Sequence, residues 1–318
     1  MVPLSGEARG HLAMLCFSAL VAGSFSLGSL VANEMAPLAL TAVRFAIAAL
    51  VIAAVAAATT GVPRSALAAP WRYLVLGGTF AAYFVLMFEG LKTAPPVSAA
   101  AVFTLTPMVA ALAGWVILRQ VTTARTASAL CIGALGALWV IFRADWSALR
   151  AFEVGRGEAI YFVGCVAHAV YIPMVRRLNR GEPAVVFTLG TLLAGCAVLT
   201  VIGWPALRAT DWAGLRPLVW VTILYVAVFA SAATFVLTQY AAMRLPSAKV
   251  MAYTYLTPSW VILWEIALGH GAPRWLVMVG VSLTIVALRM LLRPDPDRPR
   301  AGRPRGTRAP SSGAPPAA

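Results

Sequence analysis

Three ionisable side chains stand inside apolar stretches, where such groups are costly and are the first candidates for chemistry: Glu265, His168 and Arg44. Glu265 follows Pro258 by seven residues and is a candidate proton site or contact for a substrate ammonium; the alternatives are a carboxyl facing a wet cavity near a helix end or bonded to a neighbouring helix. His168 shares one helical face with Tyr171 through their three-residue spacing. Its alternative role is that of a neutral, hydrogen-bonded packing histidine. Arg44 stands about 10 Å along its helix from Pro37, close enough for the long stem to carry its charge outward. Glu89 and Lys92, near a helix end, are expected to reach water.

The chemistries of other protein classes lack their residues. The three histidines, His11, His168 and His270, are scattered, and there is no H-E-x-x-H, G-x-S-x-G, paired-aspartate or G-x-x-x-x-G-K-[ST] pattern. Cys16, Cys131, Cys165 and Cys196 each lie in an apolar run with no C-x-x-C pair, so neither a disulfide framework nor a zinc site is expected. The expectation is no enzyme, no metal, no cofactor and no ATP hydrolysis within the chain. Energy for any transport would come from a gradient or an exchange.

The polar residues have a scaffold that repeats. Phe84-Val85-Leu86 and Leu105-Thr106-Pro107 return as Phe235-Val236-Leu237 and Leu256-Thr257-Pro258, both at an offset of 151, and Ala101 returns as Ala252. Each copy is an apolar helix, a proline-containing link (Pro95-Pro96, then Pro246) and a second apolar helix with a proline near its middle. Pro107 and Pro258 each remove a backbone donor and free the carbonyl four residues earlier, on Phe103 and Thr254. Lipid offers that carbonyl no partner. Either Thr106 or Thr257 heals a packing kink, or the carbonyl faces a substrate cavity. Tyr83, Phe103 and Thr104 in the first copy, and Thr238, Gln239, Tyr240, Tyr253, Tyr255 and Trp260 in the second, gather around these prolines, though four successive residues cannot share one face.

Of 318 residues, 61% are hydrophobic and 11% charged, which places the chain in a bilayer. Ten apolar stretches reach spanning length: 11–32, 37–59, 72–91, 95–118 and 126–142, then 158–175, 183–205, 218–243, 247–268 and 274–292. The first is too long for a secretory signal core and is followed by similar segments. The expected organisation is an N-terminal segment 1–10, a five-helix repeat 11–143, a loop 144–157, a second repeat 158–293 and a disordered basic tail 294–318. The net charge of +14 owes much to that tail, where Arg298, Arg300, Arg303, Arg305 and Arg308 suit anionic lipid headgroups, so the lipid bilayer and not nucleic acid is the expected partner.

With the N-terminus inside, inner loops hold nine Lys and Arg against seven outside; Arg9 and the seven arginines from Arg289 onward make it seventeen against seven. Both termini are then cytoplasmic. Five spans per repeat force the second copy to enter the membrane from the other side. The fold class expected is an all-α integral membrane protein of ten transmembrane helices, as two inverted five-helix repeats around a central cavity, an architecture that places a substrate near the midplane.

An Arg44-Phe45 pair early in the second helix, Phe88-Glu89-Gly90-Leu91-Lys92 closing the third and Leu105-Thr106-Pro107 centring the fourth, in duplicate over about residues 11 to 292, resemble the drug/metabolite transporter superfamily, EamA type. Within it, Ala167-His168-Ala169-Val170-Tyr171 through Arg180-Gly181, and Thr254-Tyr255-Leu256-Thr257-Pro258, look like the bacterial YddG-type exporters of aromatic and other amino acids. The resemblance implies a cavity lined by spans one, three, four, six, eight and nine. It makes Ser24, Tyr83, Phe103, Thr106, His168, Tyr171, Tyr255 and Trp260 the cavity candidates, with Pro107 and Pro258 as hinges. His168 and Thr106 stand where those exporters carry tryptophans, and the glycine-glutamate pair that often closes the fourth and ninth helices is here Arg119-Gln120 and Gly269-His270.

The expected function is an inner-membrane carrier, monomer or homodimer, exporting small amphipathic metabolites and amino acids above all, by alternating access. A carrier for a sugar, nucleobase or carboxylate is the alternative, and a lipid-modifying membrane enzyme is the remote one.

Overall fold

A serine starts the chain's first helix earlier than its hydropathy predicts. Ser5 Oγ accepts the Ala8 N–H at 3.1 Å and Glu7 lies in the first turn, so α1 (Gly6–Val31) begins five residues before the expected span at 11. The structure is a computed structural model that describes residues 5–151 and 154–292. Residues 1–4 of the N-terminal segment and the expected tail 294–318 lie outside the described residues.

The first half continues with α2 (Pro37–Thr59), α3 (Trp71–Leu91), α4 (Pro96–Phe103), α5 (Thr106–Leu118) and α6 (Ala124–Ile141). The expected loop 144–157 holds a short helix, α7 (Trp146–Ala151), started by Asp145, whose carboxylate accepts the Ser147 N–H at 2.8 Å. The second half runs through α8 (Arg156–Leu178), α9 (Ala184–Ile202), the short α10 (Trp204–Ala209), α11 (Pro217–Ala227), α12 (Thr234–Ala242), α13 (Ser247–Met251), α14 (Thr257–Ala267) and α15 (Val277–Leu292). A π-helical segment, Val228–Ala233, joins α11 to α12, and a 3-10 segment, Ala252–Leu256, joins α13 to α14.

Among the described residues eight helices, taking α4–α5 and α11–α12 each as one, are long and apolar enough to cross a membrane. The interrupted α13–α14 rod and the shorter α15 complete ten spans. Leu50, Leu112, Leu135 and Val201 are exposed on the outside of the bundle, as a lipid-facing surface requires.

The packing is that of inverted repeats. Helix α1 lies against α11–α12 and against α14, while its counterpart α8 lies against α3 and against α4–α5. Helices α2 and α9 pair with each other, as do α6 and α15, so the pseudo-two-fold axis runs between these partners. Glycines let two crossings close. A Cβ on Gly136 or on Gly280 would stand 2.6 Å from the other's carbonyl oxygen, and one on Gly77 would stand 2.5 Å from the Gly195 nitrogen.

The Leu-Thr-Pro span of each repeat breaks just before its proline, whereas α8 runs through Pro173 unbroken. In the first copy the Thr104 and Leu105 N–H groups bond three residues back, to Ala101 and Val102, and Pro107 is the second residue of α5. The freed Phe103 carbonyl is taken by Thr106 Oγ1 at 2.5 Å. In the second copy a backbone N–H, that of Thr257, closes on the Thr254 carbonyl, and Thr257 Oγ1 has no hydrogen-bond partner among the described residues. The hydroxyl heals the break in one repeat only.

Candidate functional site

Helix α8 carries a stripe, Tyr161, Cys165, His168 and Tyr171, at the three- and four-residue spacing of one helical face, and all four are fully or almost fully buried. The stripe meets Phe80 and Tyr83 of α3. His168 lies 4.4 Å from Tyr83, 5.0 Å from Phe80 and 5.4 Å from Phe103, centroid to centroid, with Phe17 of α1 at 6.3 Å. Tyr171 stacks on Phe80 at 4.3 Å and accepts a hydrogen bond from Gln239 Nε2 at 3.1 Å. Phe103 reaches the cluster because it is the last residue of α4, where the span breaks. Tyr83, Phe103, Thr106, His168 and Tyr171 therefore come together at the crossing of the two repeats. Ser24 is buried on α1 beside Phe25, which packs on Phe103 and Tyr161, and its hydroxyl has no partner among the described residues.

Two expected cavity residues lie elsewhere. Tyr255 packs between α6 and α15, its ring filling the notch left by Gly133, where a Cβ would overlap the ring atoms. The cause is the 3-10 segment: three residues per turn rotate successive side chains further than an α-helix does. Trp260 donates its indole N–H to Ser18 Oγ at 3.2 Å, pinning α14 to α1, and its ring makes no contact with those of the cluster among the described residues.

Arg44 does not snorkel. It is fully buried, its Nε donating to Ser231 Oγ at 2.5 Å and its Nη2 to the Ala230 carbonyl at 2.6 Å. Both acceptors belong to the π-helical segment, whose widened turn presents them to α2. The guanidinium carbon lies 3.5 Å from the Phe84 ring centroid, a close cation–π contact. No carboxylate pairs with it among the described residues.

Glu265 stands apart from the aromatic cluster, near the end of α14. Its Oε2 meets His270 Nδ1 at 2.8 Å, the loop after α14 folding His270 back over the helix end, and its Oε1 is buried without a partner. Glu89 and Lys92 pair with each other at 2.7 Å in a half-exposed position. His168 is buried as a packing histidine would be, yet neither ring nitrogen has a hydrogen-bond partner among the described residues.

The two ends of the bundle differ. At the end away from the N-terminus, a cavity of about 750 Å³ opens between the starts of α4, α8 and α15, lined by Ser98, Glu158, Arg143, Asp145 and Arg274 among others. In its wall Ser98 Oγ donates to Glu158 Oε1 at 2.8 Å. One turn along α8, Tyr161 shares a hydrogen bond of 3.2 Å with Tyr83, so the cavity wall connects to the cluster through Glu158, Tyr161 and Tyr83. A second cavity at that end, about 320 Å³, includes Glu34 in its wall.

At the N-terminal end a buried ion pair ties the two repeats together. Arg72 Nη2 pairs with Glu182 Oε1 at 2.7 Å with both side chains buried, and Arg72 Nη1 donates to the Leu178 carbonyl at 2.7 Å. Burial pushes the Glu182 carboxyl up, but the hydrogen bonds from Arg72 and from the Arg180 N–H outweigh it and hold it below the usual carboxylate range. The chemically matching pair, Arg216 with Glu34, lies at the open end and is exposed.

Phe17, Phe80, Tyr161 and Glu158 are site residues that sequence reasoning missed. Phe17 is the offset partner of His168, since 168 minus 151 is 17, and that signal was present. Glu158 sat at a predicted span boundary, where an acid draws no notice.

Known proteins supply the rest. The EamA-like transporter family model matches residues 8–142 and 155–293. The chain is 25% identical over 282 residues to the uncharacterized transporter YyaM of Bacillus subtilis (strain 168), covering 87% of this chain and 92% of that one. A solved crystal structure described only as a protein superposes with a TM-score of 0.69 at 20% identity, over 90% of this chain and 96% of that chain, a likeness of fold alone. Ten apolar spans folded as inverted repeats, matched twice by one family model, make this a multi-pass membrane transporter and not an enzyme: the chain belongs to the EamA-like transporter family.

Proposed function

We propose that the chain exports amino acids, aromatic and other neutral ones, and related small amphipathic metabolites across a bacterial inner membrane. The observation that carries this reading is the cluster of Tyr83, Phe103, Phe80 and Phe17 around a buried His168 whose two nitrogens have no partner among the described residues. Aromatic faces suit an apolar side chain or, by cation–π contact, an ammonium, and free imidazole nitrogens suit a polar headgroup. The excess of arginine on the N-terminal side supports cytoplasmic termini, so the 750 Å³ cavity is the outward vestibule.

Transport proceeds by alternating access. The contacts of α1 with α11–α12 and α14, and of α8 with α3 and α4–α5, exchange roles as the repeats rock, with the breaks before Pro107 and Pro258 as the flexible points. Glu265, paired with His270, and His168 are the candidate proton carriers.

The test is flux of radiolabelled amino acids into proteoliposomes, with and without a pH gradient, beside empty liposomes. Saturable flux of threonine, methionine or an aromatic amino acid supports the reading, and flux of sugars, nucleobases or simple carboxylates alone replaces it with another substrate class. Glu265→Gln or a neutral isostere at His168 is expected to abolish the pH dependence of flux and to leave binding; pH dependence intact in both variants removes them as proton carriers.

A further inference from the structure

The geometry points to Arg44 as the anchor for a substrate carboxylate. This rests on the amino-acid reading above and names the group on the substrate that the core recognises.

An arginine has five N–H donors in one plane. Two hydrogen bonds are made here, from Nε to Ser231 Oγ and from Nη2 to the Ala230 carbonyl, along one edge of the fork. Nη1 is buried and has no acceptor among the described residues. The remaining donors therefore lie on the outer edge, where a carboxylate binds with two parallel bonds. Phe84 covers the face of the guanidinium at 3.5 Å, and a ring on the face does not compete with an acceptor in the plane.

Charge makes the same demand. A cation with zero exposure is costly unless a charge of opposite sign meets it, and both of its acceptors are neutral. A residue needed only to hold α2 against the π-helical segment would spend its whole fork on that segment. Phe84, over the guanidinium, is in ring contact with Tyr83 at 4.6 Å and with Phe80 at 5.0 Å, both of which touch His168. An amino acid held at Arg44 by its carboxylate would thus lay its side chain and ammonium among the aromatic rings. The ligand class is a small carboxylate, with or without an α-amino group.

The experiment measures binding of three probes to the purified full-length protein in nanodiscs: L-phenylalanine, its amide, which lacks the carboxylate, and hydrocinnamate, which lacks the amine. The expected result is that wild type binds both acids roughly tenfold to a hundredfold more tightly than the amide, the size of a charge-assisted pair. Arg44→Gln should bring that ratio close to one, and Arg44→Lys should keep part of it. Amide and acid binding equally to wild type, or neither acid binding, overturns the assignment without need of any variant; so does an Arg44→Gln protein that keeps the preference. The two readings fail separately. Amino-acid flux with no preference for the acid sinks Arg44 and spares the export reading, whereas binding of hydrocinnamate without amino-acid flux does the reverse.

Discussion

Replacing Glu182 by glutamine should open the bundle at its N-terminal end. The Arg72–Glu182 pair joins the start of α3, in one repeat, to the link between α8 and α9, in the other, with side chains only 1% and 6% exposed. Glutamine keeps an acceptor for Arg72 but removes the charge and the acceptor for the Arg180 N–H, which Glu182 Oε2 holds at 2.6 Å. Arg72 also keeps its bonds to the carbonyls of Leu178 and Ala68. The net loss is one charge assistance and one hydrogen bond, about 1–2 kcal/mol. If the pair exists only when that end is closed, the equilibrium moves toward opening by roughly fivefold to thirtyfold. Cys165, buried in the cluster between Tyr161 and His168, is a native reporter once Cys16, Cys131 and Cys196 are replaced by alanine. Its labelling by a membrane-impermeant maleimide from the N-terminal side should accelerate by that factor. Unchanged labelling in a folded Glu182→Gln protein refutes the latch. Because the Glu182 carboxyl titrates below its ordinary 4.5, the pair contributes fully above that value and is lost as pH falls through the depressed one, so the ratio of Glu182→Gln to wild-type labelling, taken at equal pH so that the thiolate fraction cancels, should be constant from pH 8 to 5 and approach one only below about 4.5.

The other expectations concern packing and specificity. Glu34→Gln, at the exposed matching pair, should leave labelling from the N-terminal side unchanged, since solvent-exposed pairs contribute little. Gly136→Ala must displace a backbone carbonyl 2.6 Å from the new Cβ, so a thermal scan in detergent should show a destabilised protein, by about 1–3 kcal/mol; wild-type stability would mean that α6 and α15 cross more loosely. Substitution of His168 by phenylalanine keeps the ring packing and removes two unpartnered buried nitrogens, so it should raise thermal stability by about 1 kcal/mol while lowering flux. Tyr255→Ala should cost stability, about 3–5 kcal/mol, without altering the order of substrate preference, whereas Tyr83→Ala should alter that order; the reverse pattern in a competition assay would return Tyr255 to the cavity.

The repeat was legible in the sequence because its third and fourth spans align at a single offset, and an odd number of spans per copy leaves inversion as the only geometry. The His168–Tyr171 face was legible for a related reason: both lie in α8, an uninterrupted α-helix, where three-residue spacing holds. Extrapolation failed where the helix changes type. Tyr255 lies in a 3-10 segment and turns away from the face that an α-helical wheel assigns it. The acceptors of Arg44 lie in a π-helical segment whose residues, Val228 through Ala233, carry no mark of it, so a stem long enough to snorkel instead found a buried partner. Whether Thr106 or Thr257 heals its break was equally hidden, since two identical Leu-Thr-Pro sequences close in different ways.

That last difference bears on mechanism. The positions related by the offset share a scaffold and differ in chemistry: Phe84 matches Phe235, but Tyr83 falls opposite Thr234, Phe103 opposite Thr254, and His168 opposite Phe17. A bundle that opens to two sides needs its helix packing to be interchangeable, and the packing is, with α8 on α3 answering α1 on α12. A ligand with one polar end and one apolar end has no such symmetry. The rings gather on α3, α4 and α8, while the neutral acceptors that hold Arg44 lie on the π-helical segment between α11 and α12, the counterpart of α3. Interchangeable packing with unlike contents would let the two repeats move as equals around a ligand that has no symmetry of its own.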